Sequence, residues 1–587
     1  MTALADKTTR GSTRLGFADE RDVDLFVQRL EAFERGELSA DDWRSFRLLN
    51  GVYGQRQDGV MMIRSKIPGG ILNRRQLEAL AEIAERWGGG AKGHVTTRQN
   101  VQFHFVASAN VEAALRLLAD CGITTREACG HSVRNFTLCP FAGIAGEEPF
   151  DPTPYMEALA HHLLRGPYSA SLPRKFKPSV GGCCGTDCSQ AFINDLGFLA
   201  RQRTLADGSR EIGFQVVAGG GLSTLRRSAI TVEEFLPADE LLESADAIVR
   251  VFHAIGNREN KAKARLKWAI DKVGVPAFVA AYHAERARIR AEGGAPLTLP
   301  PQPTPPALRP PLPQLAPPED GFAAWAADSV RPQKQPGFSA VVVRLVLGDI
   351  TAVQLRGLAR LAAELGEGEV RATNQQNLLL RYIPTWKLPL LHRELVALGL
   401  ARAGADTVVD VTSCPGASSC KLAVTASRGL ASVLTEHLEA RPALAAKARS
   451  LDIKVSGCPN SCGQHHIAGI GFQGGVRKVG GRAVPQYLLH LGGSIDGTRA
   501  TFGRLAAKIP ARNVATVVER LIELYDEDKQ PGEAPSAFFA RLAPARLKSR
   551  IDDLTVLEAS AAGPEDFVDL GETEAFEVKL SEGECAA

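Results

Sequence analysis

The sequence predicts an α+β protein made of two duplicated halves, which are related by a pseudo-twofold axis and built from mixed sheets with flanking helices. At 587 residues the chain is too long for a single hydrophobic core. A proline-rich segment at 296–318 divides it into parts of similar length. Each part opens with a similar strand–helix–strand pattern and later carries a Cys-x3-Cys motif. We expect a binding site between the halves.

The predicted organisation has five segments. Residues 1–57 form an N-terminal arm, and residues 58–295 form a first repeat. The dense prolines of 296–318 cannot join a helix or a central strand, so this segment is predicted to be an extended linker. Residues 319–550 form a second repeat that carries the paired cysteines, and residues 551–587 form a C-terminal tail.

Both repeats open with the same predicted elements. Residues 60–64 form a predicted strand, apolar residues recur at helical spacing over 77–87, and the alternation over 95–105 predicts another strand. The matching elements of the second repeat are 340–344, 355–365 and 373–380. Gln99-Asn100 in the first repeat matches Gln376-Asn377 in the second, which favours an internal duplication.

The composition is that of an ordinary globular protein, with 44% hydrophobic residues, 23% charged residues and a net charge of +3. This charge gives no reason to expect a nucleic-acid partner. No apolar run reaches the roughly 18 residues that a membrane-spanning helix needs. Residues 1–17 lack the apolar core of a secretory signal. We therefore expect a cytoplasmic protein whose cysteines are metal ligands, catalysts or buried residues.

Two cysteine pairs in the second repeat carry the strongest chemical signal. They are Cys414-x5-Cys420 and Cys458-x3-Cys462. Four thiolates on two short turns suit a [4Fe–4S] cluster, because each iron takes one thiolate. Zinc also binds four thiolates, but zinc ribbons usually have Cys-x2-Cys pairs about 15–20 residues apart. The cluster is the favoured interpretation, with zinc or unliganded cysteines as alternatives.

A second group of cysteines lies in the first repeat at Cys183, Cys184 and Cys188. It matches the Cys-x3-Cys pair of the second repeat, but the first repeat has no clear Cys-x5-Cys partner. We therefore expect that this group does not bind the cluster, with a labile second metal site as the alternative. Cys585 lies in the acidic tail and has no assigned role.

Other motifs predict no further cofactor. The chain has twelve histidines, and His465 and His466 follow the cysteine pair directly. Because neighbours on a strand or turn point apart, we do not expect the histidines to form a metal set. The glycine runs 88–90 and 219–221 lack the strand–GxGxxG–helix context of a nucleotide site.

With these motifs, the chain resembles the siroheme-containing sulfite and nitrite reductases over nearly its whole length. The resemblance rests on the two cysteine pairs, on TTRQNVQ at 96–102, on VRN at 133–135 and on LPRKFK at 172–177. It implies a central siroheme joined to a [4Fe–4S] cluster by one shared thiolate. The implied cluster ligands are Cys414, Cys420, Cys458 and Cys462. Cys462 is also the implied axial ligand to the siroheme iron.

The resemblance further implies a cationic face where an oxyanion substrate binds. The residues at the family positions are Arg64, Arg134, Lys175 and Lys177. Arginine binds oxyanions through forked donors, and lysine adds a point charge that can release a proton. The alternative for each is an ordinary solvated cation.

Arg98 and Gln102 are the implied siroheme contacts, since siroheme carries eight carboxylates and needs cationic partners. On the predicted strand both would face the same side. A polar strand face in water is the alternative. Tyr53 and Cys129 lie at positions that look like those some family members join by a thioether bond. A core tyrosine and a buried cysteine are the alternative for that pair.

The expected function is the six-electron reduction of sulfite to sulfide by an assimilatory sulfite reductase that also acts on nitrite. Lys177 favours sulfite, because the sulfite-type pattern has lysine at this position and the nitrite-type pattern has asparagine. The main alternative is a ferredoxin-type nitrite reductase that forms ammonia. A corrin-ring hydroxylase and a binding protein with an inactive cluster are the others. Since no flavin or NADPH module is visible, electrons are expected from ferredoxin or a flavoprotein subunit.

Overall fold

The computed structural model describes residues 14–182, 187–308, 318–579 and 584. The predictions for Cys183, Cys184 and Cys585 lie outside the described residues. Within the described part of the chain, no helix has both the length and the apolar character needed to cross a membrane.

The first half contains ten strands and eight α-helices among the described residues. The strands are β1 (Val52–Gly54), β2 (Val60–Arg64), β3 (Ile71–Asn73), β4 (Lys92–Val95), β5 (Val101–Ala107), β6 (Thr137–Leu138), β7 (Pro178–Gly181), β8 (Leu196–Thr204), β9 (Arg210–Ala218) and β10 (Ile230–Pro237). The helices are α1 (Glu20–Glu34), α2 (Ala40–Leu49), α3 (Arg74–Trp87), α4 (Val111–Asp120), α5 (Thr153–Leu163), α6 (Leu241–Ile255), α7 (Leu266–Val273) and α8 (Val275–Ala291).

The described part of the second half contains twelve strands and eight α-helices. The strands are β11 (Val330–Pro332), β12 (Phe338–Val343), β13 (Asp349–Thr351), β14 (Glu369–Ala372), β15 (Leu378–Pro384), β16 (Thr412–Ser413), β17 (Ile453–Ser456), β18 (Ile470–Val479), β19 (Arg482–Leu491), β20 (Ser494–Ile495), β21 (Ala500–Thr501) and β22 (Arg504–Pro510). The helices are α9 (Phe322–Ser329), α10 (Ala352–Leu365), α11 (Leu388–Ala397), α12 (Ser427–Glu439), α13 (Pro442–Lys447), α14 (Val514–Asp528), α15 (Pro535–Arg541) and α16 (Pro544–Thr555).

Two of the sheets exchange edge strands between the halves. One has the order β1-β2-β5-β4-β13, and the other has the order β11-β12-β15-β14-β3. β13 pairs antiparallel with β4, and β3 pairs antiparallel with β14. Because the exchange is reciprocal, backbone hydrogen bonds join the halves in addition to side-chain packing.

Two further sheets repeat one topology. Their orders are β10-β9-β8-β7-β6 and β16-β17-β18-β19-β22. In the first, β6, β7 and β8 run parallel before the antiparallel strands β9 and β10. In the second, β16, β17 and β18 run parallel before β19 and β22. Matching strand directions in matching order are what a pseudo-twofold duplication requires.

Equivalent glutamines from the two halves meet side chain to side chain. Gln190 and Gln464 both adopt left-handed backbone conformations, with φ of 61° and 66°, and each precedes a 3-10 turn. The amide nitrogen of Gln190 donates to the Gln464 side-chain oxygen at 2.8 Å, and the Gln464 amide donates back to Gln190. This reciprocal pair marks the pseudo-twofold axis.

A shared hydrophobic core lies where α3 packs against α10. Both helices begin with a capping box, formed by Asn73 with Gln76 and by Thr351 with Gln354. The buried faces of the two helices include Leu77, Leu80, Ile83, Leu355, Leu358 and Leu361.

The prediction of one continuous strand over 95–105 is wrong. β4 ends at Val95, β5 begins at Val101, and the residues between form a tight turn in which Gln99 has φ of 55°. The predicted strand over 373–380 is also wrong in its first part, because residues 373–377 form a turn with Gln376 at φ of 67° and β15 begins at Leu378. Residues 96–100 and 373–377 are all polar, and this break in the apolar alternation is the local signal of a turn in each segment.

Candidate functional site

A cavity of about 210 Å³ lies between the halves, and residues of both halves line it. The sequence-predicted site residues that line it are Arg64, Arg98, Gln102, Arg134, Lys175, Lys177, Cys414, Cys420, Cys458 and Cys462. Residues spread over nearly 400 positions of the chain are therefore brought to one space.

The cysteine pairs meet because their turns follow adjacent parallel strands. Cys414 comes directly after β16, and Cys458 follows β17 by two residues. The carboxyl ends of paired parallel strands lie at one edge of the sheet, where β16 pairs with β17. The backbone N–H of Gly457 donates to the Cys414 sulfur at 3.3 Å. Burial raises the pKa of the Cys458 thiol, and the neighbouring thiols Cys462 and Cys414 raise it further.

The first half holds the cysteine turns in place. The Thr97 hydroxyl donates to the Cys462 carbonyl at 3.0 Å. Arg56, in the loop between β1 and β2, donates to the carbonyls of Cys420 and Ala423 at 3.3 and 2.9 Å. The thiol ligand set is thus positioned by both halves, although all four cysteines belong to the second.

Arg64 lies at the end of β2, against an aromatic ring and a thiol. Its guanidinium stacks 5.2 Å from the centre of the Tyr53 ring and donates to the Cys129 sulfur at 3.3 Å. The Gln102 amide is oriented so that both its oxygen and its nitrogen have partners. Its oxygen accepts hydrogen bonds from the Arg64 guanidinium at 2.6 and 2.8 Å, and its nitrogen donates to His104. These contacts fix the direction of Arg64 along the cavity wall.

Arg98 and Lys177 place positive charge in a poorly solvated environment. Arg98 donates to the Asn194 side chain at 2.8 Å and to the Pro178 carbonyl at 3.1 Å, while its Nε is buried without a partner. Burial, and after it the charge of Arg134, lowers the pKa of Arg98 to about 9. Burial, followed by the charge of Arg98, places the pKa of Lys177 well below its usual value. An anion in the cavity would stabilise the charged forms of both side chains.

Arg134 and Lys175 complete the cationic wall. Arg134 is buried, and its Nε donates to the Ala128 carbonyl at 2.8 Å. Lys175 is half-buried and is close enough to Lys177 to lower the pKa of that lysine. The four predicted anion-binding residues therefore line the same cavity as the four cysteines.

Several cavity residues were missed by the sequence prediction. His94 and His104 flank the TTRQN turn on β4 and β5, and their position around that motif is the signal that could have identified them. Burial lowers the pKa of His104 to about 3. Glu584 also lines the cavity and forms a buried ion pair with Arg47. No local pattern links Glu584 to Arg47, since they lie at opposite ends of the sequence.

The equivalent turn of the second half lies mostly away from this cavity. Asn374, Gln375 and Asn377 are not among the described residues that line it. The Asn374 amide donates to the Cys188 carbonyl, and Gln375 accepts from Lys454 at 2.6 Å. Of that turn, Gln376 faces the cavity instead.

The residues fit a siroheme and a [4Fe–4S] cluster. Four clustered thiols match the donor set of a cubane cluster. The buried, unpartnered Nε of Arg98 and the cationic wall match a cofactor that carries many carboxylates.

Two family models match four segments of the chain in an alternating order. The nitrite and sulphite reductase 4Fe-4S domain matches residues 129–289 and 404–556. The nitrite/sulfite reductase ferredoxin-like half domain matches residues 53–121 and 331–398. The chain belongs to the siroheme and [4Fe–4S] sulfite and nitrite reductase family. Its cofactors are therefore siroheme and a [4Fe–4S] cluster, and the predicted duplicated α+β fold is confirmed.

Known relatives carry both substrate names. A ferredoxin–nitrite reductase of Synechococcus elongatus is 33% identical, over 79% of this chain and 86% of the relative. A ferredoxin-type sulfite reductase of Mycobacterium tuberculosis is 30% identical, over 90% of this chain and 88% of the relative. The structure of the Mycobacterium tuberculosis NirA protein matches with a TM-score of 0.74 and 28% identity, covering 88% of this chain and 95% of that one. The family establishes an oxidoreductase that acts on sulfite or nitrite.

Proposed function

We propose that this protein reduces sulfite to sulfide with six electrons and that nitrite is a second substrate. The observation that carries this proposal is the pair Lys175 and Lys177 on a cavity wall that also includes Arg64 and Arg134. Sulfite is largely doubly charged above neutral pH, so it gains more from a second ammonium group than singly charged nitrite does.

The cysteine set supports specific ligand roles. Cys414, Cys420, Cys458 and Cys462 are proposed to hold the cluster, and Cys462 would also hold the siroheme. Their turns follow the adjacent strands β16 and β17, and burial limits access of water to Cys414 and Cys458. When bound, the siroheme and the cluster supply the electron-transfer chemistry that amino-acid side chains cannot.

The remaining site residues are proposed to bind and orient. Arg98 and Gln102 contact siroheme, since Arg98 has an unpartnered buried Nε. Arg64 and Arg134 offer forked donors to the oxyanion. Lys175 and Lys177 add charge, and an ammonium with a lowered pKa can pass a proton to a substrate oxygen that leaves as water.

Ferredoxin-type nitrite reductase is the alternative function, since relatives named for either substrate align with most of the chain. The lysine at 177 is the specific feature that favours sulfite, because the nitrite-type pattern has asparagine there. A nitrite-specific enzyme would not need two lysines on the anion-binding wall.

An external protein is proposed to supply the electrons. Relatives are named for ferredoxin, which makes a ferredoxin-type donor the first choice, and a flavoprotein subunit is the alternative. Cluster thiolates need a reducing compartment, which supports a cytoplasmic location.

Steady-state turnover with a chemical reductant tests the proposed function without knowledge of the donor. Sulfite and nitrite are supplied separately to one preparation, and kcat/KM is measured for each. We expect sulfide formation from sulfite and a higher kcat/KM for sulfite than for nitrite. Turnover of nitrite alone would establish the alternative.

A further inference from the structure

Three buried histidines meet behind the turn that carries Cys458 and Cys462. His465 and His466 lie on the 3-10 turn after that cysteine pair, and His490 lies on β19. One ring nitrogen from each residue lies within 4.8 Å of those of the other two. The ring centres are 4.0 Å apart for His465 and His466, and 5.2 and 5.1 Å from His490. The expectation that neighbouring side chains point apart is wrong for His465 and His466, because a 3-10 turn brings their rings together.

The ring nitrogens of this histidine triad (His465, His466 and His490) lack ordinary hydrogen bonds. Both nitrogens of His465 and of His466, and Nε2 of His490, are buried without a partner of good geometry, although the Gln473 side chain approaches His465 and the Ser223 backbone approaches His466. All three residues are at most 4% exposed. A buried polar group left unsatisfied costs roughly 1–3 kcal/mol, and native proteins rarely retain several in one place. A metal ion bound through one nitrogen of each ring removes this cost for three of the five nitrogens.

His490 is oriented as a metal ligand usually is. Its Nδ1 lies 3.4 Å from the Gly503 carbonyl, an arrangement in which Nδ1–H donates and Nε2 keeps its lone pair. A histidine that binds a metal through one nitrogen typically donates its other N–H to a carbonyl or carboxylate. The contact with Gly503 therefore selects the tautomer that can bind a cation.

The internal duplication shows what this place contains when no ligand is held. Gln190 and Gln464 are equivalent, so Ala191 and Phe192 occupy the positions of His465 and His466. Val217 is the equivalent of His490, because Val217 of β9 pairs with Gly197 of β8 in the same way that His490 of β19 pairs with Gly471 of β18. The three first-half residues are part of one buried apolar cluster. In the second half, all three equivalent positions are histidines, so imidazole rings replace all three apolar side chains together.

We propose that His465, His466 and His490 bind one zinc ion at a site separate from the cluster and siroheme. Three neutral imidazoles are a common zinc ligand set, and a water molecule or the side chain of Gln473, which approaches His465, completes a tetrahedral shell. The proposal does not depend on which anion the enzyme reduces.

The site has a structural consequence and an electrostatic requirement. Zinc joins the turn after Cys462 to β19, which fastens the cysteine-bearing turn to the sheet. The cation Arg226 lies near the triad, so the zinc charge needs compensation. The thiolates of the same turn, which ends three residues before His465, supply negative charge.

Metal analysis of the intact holoenzyme tests the site. Wild-type protein is produced with added zinc, dialysed, and analysed for iron and zinc together. The variants are His466→Gln and His490→Gln. The matched control is His392→Gln, because His392 is also buried with an unpartnered Nδ1 but packs beside Phe322 and Trp325.

The proposal predicts about one zinc per chain in the wild type and the control, and at least a tenfold loss in both triad variants, with iron content unchanged. X-ray absorption at the zinc edge of the wild type should give nitrogen ligands at about 2.0–2.1 Å. Wild-type protein without zinc overturns the proposal even if the variants fail to fold. So does zinc retained in both variants, or zinc with sulfur ligands at about 2.3 Å, which would place it on cysteines.

Discussion

Replacement of Lys177 by asparagine should shift the preference of the enzyme from sulfite toward nitrite. The backbone N–H of Lys177 donates to the Asp195 carboxylate at 2.9 Å, and this fold-stabilising contact survives the substitution. The side chain lines the cavity, so its removal creates no void in the hydrophobic core. One contact to a charged group is worth about 1.5–3 kcal/mol, which corresponds to roughly 10- to 150-fold in kcat/KM for sulfite. Nitrite turnover should be equal or raised, because an amide suits a singly charged anion.

The assay is the ratio of kcat/KM for sulfite to kcat/KM for nitrite, measured on one preparation so that cofactor loading cancels. Lys478→Asn is the control, since Lys478 is exposed and is not among the residues that line the cavity. The control should retain the wild-type ratio. A Lys177→Asn ratio that does not move toward nitrite, with siroheme and cluster absorbance intact, refutes the charge argument and removes the main reason to rank sulfite first.

Three further predictions address the cofactors and the anion site. Cys462→Ser should lose siroheme as well as cluster absorbance, because one thiolate serves both cofactors. Cys188→Ser should retain both cofactors. Full cofactor content in Cys462→Ser would contradict the assignment. Arg134→Ala should lower kcat/KM for sulfite by roughly tenfold or more while siroheme occupancy is kept, and unchanged turnover would move the anion site elsewhere. Tyr53 and Cys129 share a small buried cluster beside Arg64, so a thioether between them is expected to lower the intact mass by about 2 Da and to join their tryptic peptides; separate peptides would exclude it.

The cysteine site could be predicted from the sequence because its information is local. Each cysteine pair follows a short strand, and the residues between the cysteines are turn residues such as Pro415 and Gly416. The helices α3 and α10 were equally clear, since their apolar residues recur at helical spacing.

The remaining features depend on contacts between distant residues. The exchange of β3 and β13 between the sheets was not predictable, because a strand pattern does not specify its partner. The ion pair of Arg47 with Glu584 joins the two ends of the chain, and neither residue has a local signal. The turn around Arg98 was taken for a strand although residues 96–100 are all polar, yet Arg98 still lines the cavity.

A competition experiment tests the central claim most directly. Sulfite and nitrite are supplied together at equal concentration to one preparation with a chemical reductant, and sulfide and ammonia are measured over the first few per cent of turnover. The product ratio equals the ratio of the two kcat/KM values, whatever the fraction of active enzyme. The account predicts that sulfide predominates, with ammonia as the minor product. Ammonia as the main product would contradict it and identify the cationic cavity as a nitrite site.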